Sequence, residues 1–315
     1  LFSPIISAHP KLNPDHLRRN DELRNTDQPL QAVTEIYGPD WEYDSRAYPD
    51  LVGFRLKHIL GAPVTTAGNG VITDPDAVAI PTGGHRHVWT APFGPSGASP
   101  QTVDMVFAYA DQSMFFRAKG AACQQLSLEV PESGGTMLKA SGPACFLDSI
   151  ADPALTPAYE ALTVRPFMRR DLMIVTWVAG SATFEDFSVQ IANPVAVLRT
   201  LGISSSYPDL IEKGDEPILF SGSVPKRAID TDDYNALKNA TGFATKARWT
   251  SSSIIAAGYP YKFWVEHDHA QYLEGGPNPL ENKRRLGATF DYEANFDGAG
   301  ASSVVTLVNN VASYA

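Results

Sequence analysis

Two His-x-His pairs are the residues of this chain best spaced for chemistry: His85 and His87 in "GGHRHVW", and His267 and His269 in "VEHDHA". On a strand, residues two apart point to the same face, so each pair would present two imidazoles to one metal ion. With an oxygen from Glu266, Asp268 or Glu274, a hydrolytic metal site can be sketched around the second pair. The plainer reading is preferred: imidazoles that follow a Gly-Gly turn bond locally or face solvent. Asp291 and Glu293 are two carboxylates at strand spacing, the residue types that glycoside hydrolysis requires. They fall on the polar side of an alternating strand, and a solvated face explains them better. Cys123 and Cys145 flank "LSLEVPESGGTMLKA". A disulfide, a reactive or metal site and two packed thiols all remain open, and reduced, packed thiols are preferred. No Gly-rich phosphate loop, nucleophile elbow or helical metal-binding pair occurs. The expectation is therefore no catalytic residue, no cofactor and no resident metal.

These residues need elements to hold them, and those elements are mainly strands. Alternation marks strands at Val103–Tyr109, Met114–Ala118, Gln124–Val130 and Thr136–Ala140. A turn near 132–135 would place Leu128 beside Leu138 and Leu126 beside Ala140. "RDLMIVTWVAG" looks the most buried strand, and "FSVQIAN" puts Phe187, Val189 and Ile191 on one face. "PILFSGSVP", "KARWTSS", "YKFWVEH", "GATFDYEANF" and "SSVVTLVNN" continue the pattern. One compact apolar segment, residues 51–62, reads as a helix ended by Gly61 and Pro63. "AIDTDDYNALKNATGF" signs a second helix, with Asp230 as N-cap, acidic residues in the first turn and Tyr234 and Leu237 as its apolar edge. The predicted class is mainly β, a sandwich or barrel-like core with one packed α-helix, long loops and an extended N-terminal arm. Residues 1–50 form the arm and 51–315 the body, with a long loop at 63–102.

Bulk properties narrow the function. Of the 315 residues, 43% are hydrophobic, ample for a core, and only 19% are charged, so the surface relies on Ser, Thr, Asn and Gln. A formal net charge of −10 argues against a conventional nucleic-acid binder. It does not exclude a protein that lets nucleic acid pass without sticking. The one basic cluster, "ENKRRLG", reads as an exposed turn or an intersubunit salt bridge through Arg284 and Arg285. No run of 18 apolar residues offers a membrane span. The opening "LFSPIISAHPKL" is too polar for a signal peptide.

The order of motifs is similar to that in tail tube proteins of long-tailed bacteriophages. The resemblance runs from "LVGFRLKHILGAPVTT" through "HRHVWTAPFG" and "FFRAKGAACQQLSLEVPESGGTMLKASG". It continues with "FSVQIANPVAVLRTLG", "FSGSVPKRAIDTDDYNALKNATGF" and "YPYKFWVEHDHAQY", and closes on "RRLGATFDYEANF". It implies a β-sandwich with a flanking helix that self-associates into hexameric rings, stacked as a hollow tube. Such a tube would meet other tail proteins at both ends. It would conduct viral DNA through its lumen without sequence-specific binding, and it would be assembled in the host bacterial cytoplasm and carried in the virion.

On this resemblance the lumen candidates are Asp291, Glu293, Glu266 and Asp268. The intersubunit candidates are Trp41, Tyr43, Tyr48, Trp89, Phe93, Arg284 and Arg285. Residues 1–50 and 63–102 would connect rings. The chain is longer than the simplest members of that family, which leaves room for a second domain, an elaborated outer surface or a tail-completion role. The rival readings are a β-rich carbohydrate- or host-binding module, with Trp41, Tyr43 and Tyr48 stacking on sugars, and a His-x-His metal-dependent hydrolase.

Overall fold

The computed structural model describes residues 5–17, 33–90, 101–109, 113–131, 133–151, 153, 164–178, 184–199, 207–226, 231–277, 288–294 and 303–314. The strands of the first half are β1 (Ile5–Leu17), β2 (Val33–Arg46), β3 (Val64–Ala67), β4 (His85–Thr90), β5 (Thr102–Tyr109), β6 (Met114–Ala122), β7 (Gln125–Val130), β8 (Met137–Pro143) and β9 (Phe146–Ile150). Those of the second half are β10 (Leu172–Thr176), β11 (Phe187–Ala192), β12 (Val195–Leu198), β13 (Leu210–Lys213), β14 (Leu219–Lys226), β15 (Phe243–Ala256), β16 (Tyr259–Pro277), β17 (Ala288–Ala294) and β18 (Ser303–Asn309). Among the described residues two α-helices accompany them, α1 (Pro49–Leu60) and α2 (Thr231–Lys238).

Thirteen strands share one hydrogen-bonded sheet in the order β1-β2-β8-β7-β11-β14-β17-β16-β18-β4-β3, with β15 and β10 branching from β16. The branch gives β16 different partners along its two halves. The first half of β16 pairs with β15 and β18, and its second half pairs with β17. A three-stranded sheet β5-β6-β9 and the pair β12-β13 are separate.

Alternation decides which side of each strand is buried. In β7, Leu126, Leu128 and Val130 face inward, and in β11 Phe187, Val189 and Ile191 do the same. The hairpin register is the one that spacing predicts: Leu128 pairs with Leu138 and Leu126 with Ala140. These residues join Phe220, Val224, Phe290 and Tyr292 in one core. Helix α1 covers it with Val52, Leu56 and Ile59, starts with Pro49 in its first turn and ends at Gly61, whose φ of 87° suits glycine.

Three expectations change. "RDLMIVTWVAG" does not hold the most buried strand: among the described residues β10 pairs with β15 alone, and Met173 on this edge is 51% exposed. Helix α2 does not bury Tyr234, which is 55% exposed, but Asp233 and Ala236, so its inner edge is partly charged. Most consequential is the arm. Residues Asp40–Arg46 of β2 pair with β8 inside the main sheet, and Trp41 and Tyr43 are 1% and 2% exposed. Among the described residues, the distal part of the hairpin, Asn13–Leu17 against Val33–Gly38, has β1–β2 pairing without a third strand.

Leu128→Ala should lower unfolding free energy by about 3 kcal/mol, whereas Ser127→Ala on the opposite face should stay within about 0.5 kcal/mol. Urea denaturation of the two variants checks the two-sided character of the sheet.

Candidate functional site

Because successive side chains alternate, the face opposite the core is assembled from the residues between the buried ones. The register links them across eight strands. Ser7 of β1 stands opposite Asp44, Asp44 opposite Lys139, and Lys139 opposite Ser127. Ser127 then meets Gln190, Gln190 meets Ser221, Ser221 meets Glu293, and Glu293 meets Gln271. No member of this file is apolar. Beside it run Glu129 opposite Ser188, and Ser223 opposite Asp291, itself opposite Glu274. One residue back lies the core file of Tyr43, Ala140, Leu126, Ile191 and Phe220.

The charges on this face are organised. Lys139 bonds Glu129 at 2.6 Å, Lys11 bonds Glu42 at 2.8 Å, and the Ser7 hydroxyl donates to Asp44 at 3.0 Å. Ser7, Glu42, Asp44, Ser127, Glu129 and Lys139 line a shallow depression of about 390 Å³. At the far side, Asp291 and Glu293 are half-buried among serines, glutamine and Glu274. Reading β17 alone found this pair. The continuation over β14, β11, β7, β8 and β2 was missed, although "FSVQIA", "QLSLEV" and "WEYDSR" alternate in the same way.

Glu266 and Asp268 belong elsewhere. Glu266 bonds Lys246 at 3.0 Å, next to Asp76, which is bound by Arg248 at 2.7 Å. Burial pushes the Asp76 carboxyl up, but Arg248, Lys246 and Lys262 outweigh it and hold the group below its ordinary range. Deeper in, Asp74 accepts the backbone N–H groups of Asp76 and Val78 at 2.9 Å each, Lys262 at 2.6 Å, and the Tyr259 hydroxyl. This network fastens residues 74–78 onto the β15–β16 hairpin of the same chain. The early part of the expected connector loop is thus tied to its own body. Asp268 is exposed.

The aromatic candidates are internal. Trp41 stacks on Tyr43 at 5.9 Å and on His58 at 5.6 Å, and its indole N–H donates to the Ala122 carbonyl. The Arg55 guanidinium lies 4.2 Å over the Tyr43 ring. Trp89 is 2% exposed and donates to the Gly61 carbonyl. A segment so rich in aromatics and turn formers could pack on its own subunit's body or on a neighbour's, and the pairing of β2 with β8 puts Trp41 and Tyr43 in this subunit's core. Tyr48 is half-buried at the start of α1. Phe93, Arg284 and Arg285 lie outside the described residues.

Histidines and cysteines serve packing. His87 is fully buried: Nε2–H donates to the Asn309 side chain at 3.1 Å and the Val311 carbonyl at 3.0 Å, while Nδ1 accepts from Thr65 at 2.9 Å. Both nitrogens are thereby occupied, which leaves no lone pair for a metal shared with His85. His267 is buried on Ser303 at 2.8 Å. Among the described residues no group of three His, Cys, Asp or Glu side chains could hold a metal ion. Cys123 and Cys145 are free, and burial pushes the Cys123 thiol up to about 12, far from the thiolate that reactivity needs.

A family model described as phage tail tube protein matches residues 18–294. The chain belongs to that family. A search of curated proteins finds no match. Family membership marks a structural component of the phage tail, one that assembles with copies of itself and with other tail proteins. It also agrees with the mainly β architecture. Among the described residues no helix is long and apolar enough to cross a membrane.

Burial pushes His58, His87 and His267 each down to about 4. The unfolded chain takes up these protons near the ordinary value of about 6.5, before the folded chain does, so it binds more protons in between. Stability should therefore fall as pH drops from about 6.5 to 4. Thermal melts across that range check this, and His267→Gln should flatten the slope.

Proposed function

We propose that this tail tube subunit assembles as stacked hexameric rings and that the polar face running from β1 to β17 lines the channel. The viral genome would pass through that channel from capsid to host. The observation that carries this reading is the unbroken polar file from Ser7 to Gln271, backed along its whole length by buried aromatic and aliphatic residues. On this wall of hydroxyl and amide side chains the two lysines, Lys11 and Lys139, are paired with Glu42 and Glu129. The further carboxylates of Asp44, Asp291 and Glu293 leave a surplus of negative charge that repels phosphate. Glu266, paired with Lys246, and Asp268 are left off this wall.

Ring-to-ring contact is assigned to the distal half of the β1–β2 hairpin. A two-stranded ribbon is marginal in water by itself, and a second subunit would supply the missing partner. Phe93, Arg284 and Arg285 retain their expected intersubunit role, as does Tyr48. Assembly in the host cytoplasm and capping by other tail proteins at both ends complete the reading. The carbohydrate-binding alternative loses its stacking platform, since Trp41 and Tyr43 are buried.

Negative-stain electron microscopy of the purified chain should show rings or tubes; a monomer at high concentration would count against the proposal. Replacing residues 13–38 by an Asn-Gly turn joins the paired residues Leu12 and Pro39 and keeps Trp41 in the core. That variant should fold and yet fail to polymerise, and tubes of unchanged length would reject the hairpin as connector. Asp291→Lys with Glu293→Lys should leave assembly intact while tubes acquire salt-sensitive DNA binding, measurable by retention on a DNA column.

A further inference from the structure

Where β14 ends and α2 begins, Lys226 and Asp233 form an ion pair whose side chains are 5% and 0% exposed. The site is walled by rings. Phe184 bridges to Lys226 and lies 5.5 Å from its Nζ, Trp177 packs edge-on to Phe184 at 5.1 Å, and Tyr272 lies 4.8 Å from both Phe243 and Phe290. The Tyr272 hydroxyl donates to Oδ1 of Asp233 at 2.7 Å, and the Trp177 indole N–H donates to that hydroxyl at 2.7 Å. Lys226 takes the other oxygen, Oδ2. The two carboxylate oxygens therefore have different neighbours, a neutral phenol on one and an amine nitrogen on the other.

We propose that Lys226 and Asp233 condense to an intramolecular amide, a covalent clip between β14 and α2. The condensation starts when one proton passes from Nζ to Oδ2 along the contact between them, which gives the amine and carboxylic acid that react. Nζ adds to Cγ, and the charge that develops on Oδ1 is met by the Tyr272 hydroxyl, itself polarised by Trp177. The Cγ–Oδ2 bond then breaks. Of the three protons of the original ammonium, one stays on the amide nitrogen and two leave with Oδ2 as water. No oxidant, reductant or further reactant is involved. Fixed placement of nucleophile and carbonyl carbon supplies the acceleration that folding alone can give.

The second buried lysine–aspartate pair shows why the first is singled out. Asp74 is held by two backbone N–H groups, the Tyr259 hydroxyl and Lys262, and Lys262 also approaches Asp76, which Lys246 and Arg248 share. Both oxygens of Asp74 are thus filled by four donors, and Lys262 is shared with Asp76 rather than held on one carboxylate. This pair should stay noncovalent.

Mass spectrometry of the folded full-length chain, denatured and reduced just before measurement, tests the proposal. The expected mass is lighter than calculated by one water. Trypsin should fail to cut after Lys226 and should release the peptide ending in Arg227 still joined to Ala228–Lys238. Lys226→Arg should restore the full mass, and Tyr272→Phe should slow the loss of water so that both masses coexist. A wild-type chain of full calculated mass after prolonged incubation would overturn the proposal. So would a water deficit in which Lys226 remains cleavable, as an aspartyl imide would give, or one that maps to Lys262 and Asp74. The wild-type measurement decides the matter even where a variant fails to fold.

Discussion

Strand alternation held in register across eight strands is the constraint on which the rest of the structure depends. Side chains on a strand have a period of two, so a slip of one residue between any two neighbours would turn a core file outward. Leu126 pairing with Ala140 and with Ile191 fixes β7 against both neighbours, and Ile191 pairing with Phe220 passes the register on. The same pairings that bury the aromatics assemble the polar face. Neither surface can be altered in register without losing the other.

A second constraint is the length of β16. It is long enough for its pairing to move from β18 to β17 along its course. Buried charges join other segments to the strands: Asp74 of the 74–78 turn to Lys262 of β16, and Asp233 of α2 to Lys226 of β14. Such pairs add little net stability relative to apolar packing, but removing one partner leaves a costly orphan. They fix which segment sits where.

Much of the fold was legible because it rests on local patterns. The alternation of "FSVQIA" and "ATFDYEA", the glycine that ends α1 and the Leu128–Leu138 register all follow from neighbours in sequence. What was not legible depends on which strand lies beside which. β10 is as apolar as a central strand and is nevertheless an edge. Trp41 and Tyr43 lie in a segment dense in turn formers, and only the pairing of β2 with β8 shows that they are core. The candidate surface was half visible for the same reason: Asp291 and Glu293 are explicit in β17, whereas their continuation through Ser221, Gln190 and Ser127 exists only after the strands are ordered.

The two-sided sheet also bears on how such a protein can change over generations. Positions such as Ser127, Gln190 and Ser221 lie on the face that alternates with the core file, so their size and charge can drift while the aromatic layer behind stays fixed. Selection on the chemistry of the polar face and selection on foldability then act on separate, interleaved sets of residues. A lineage could retune its polar face one side chain at a time without passing through an unfolded intermediate.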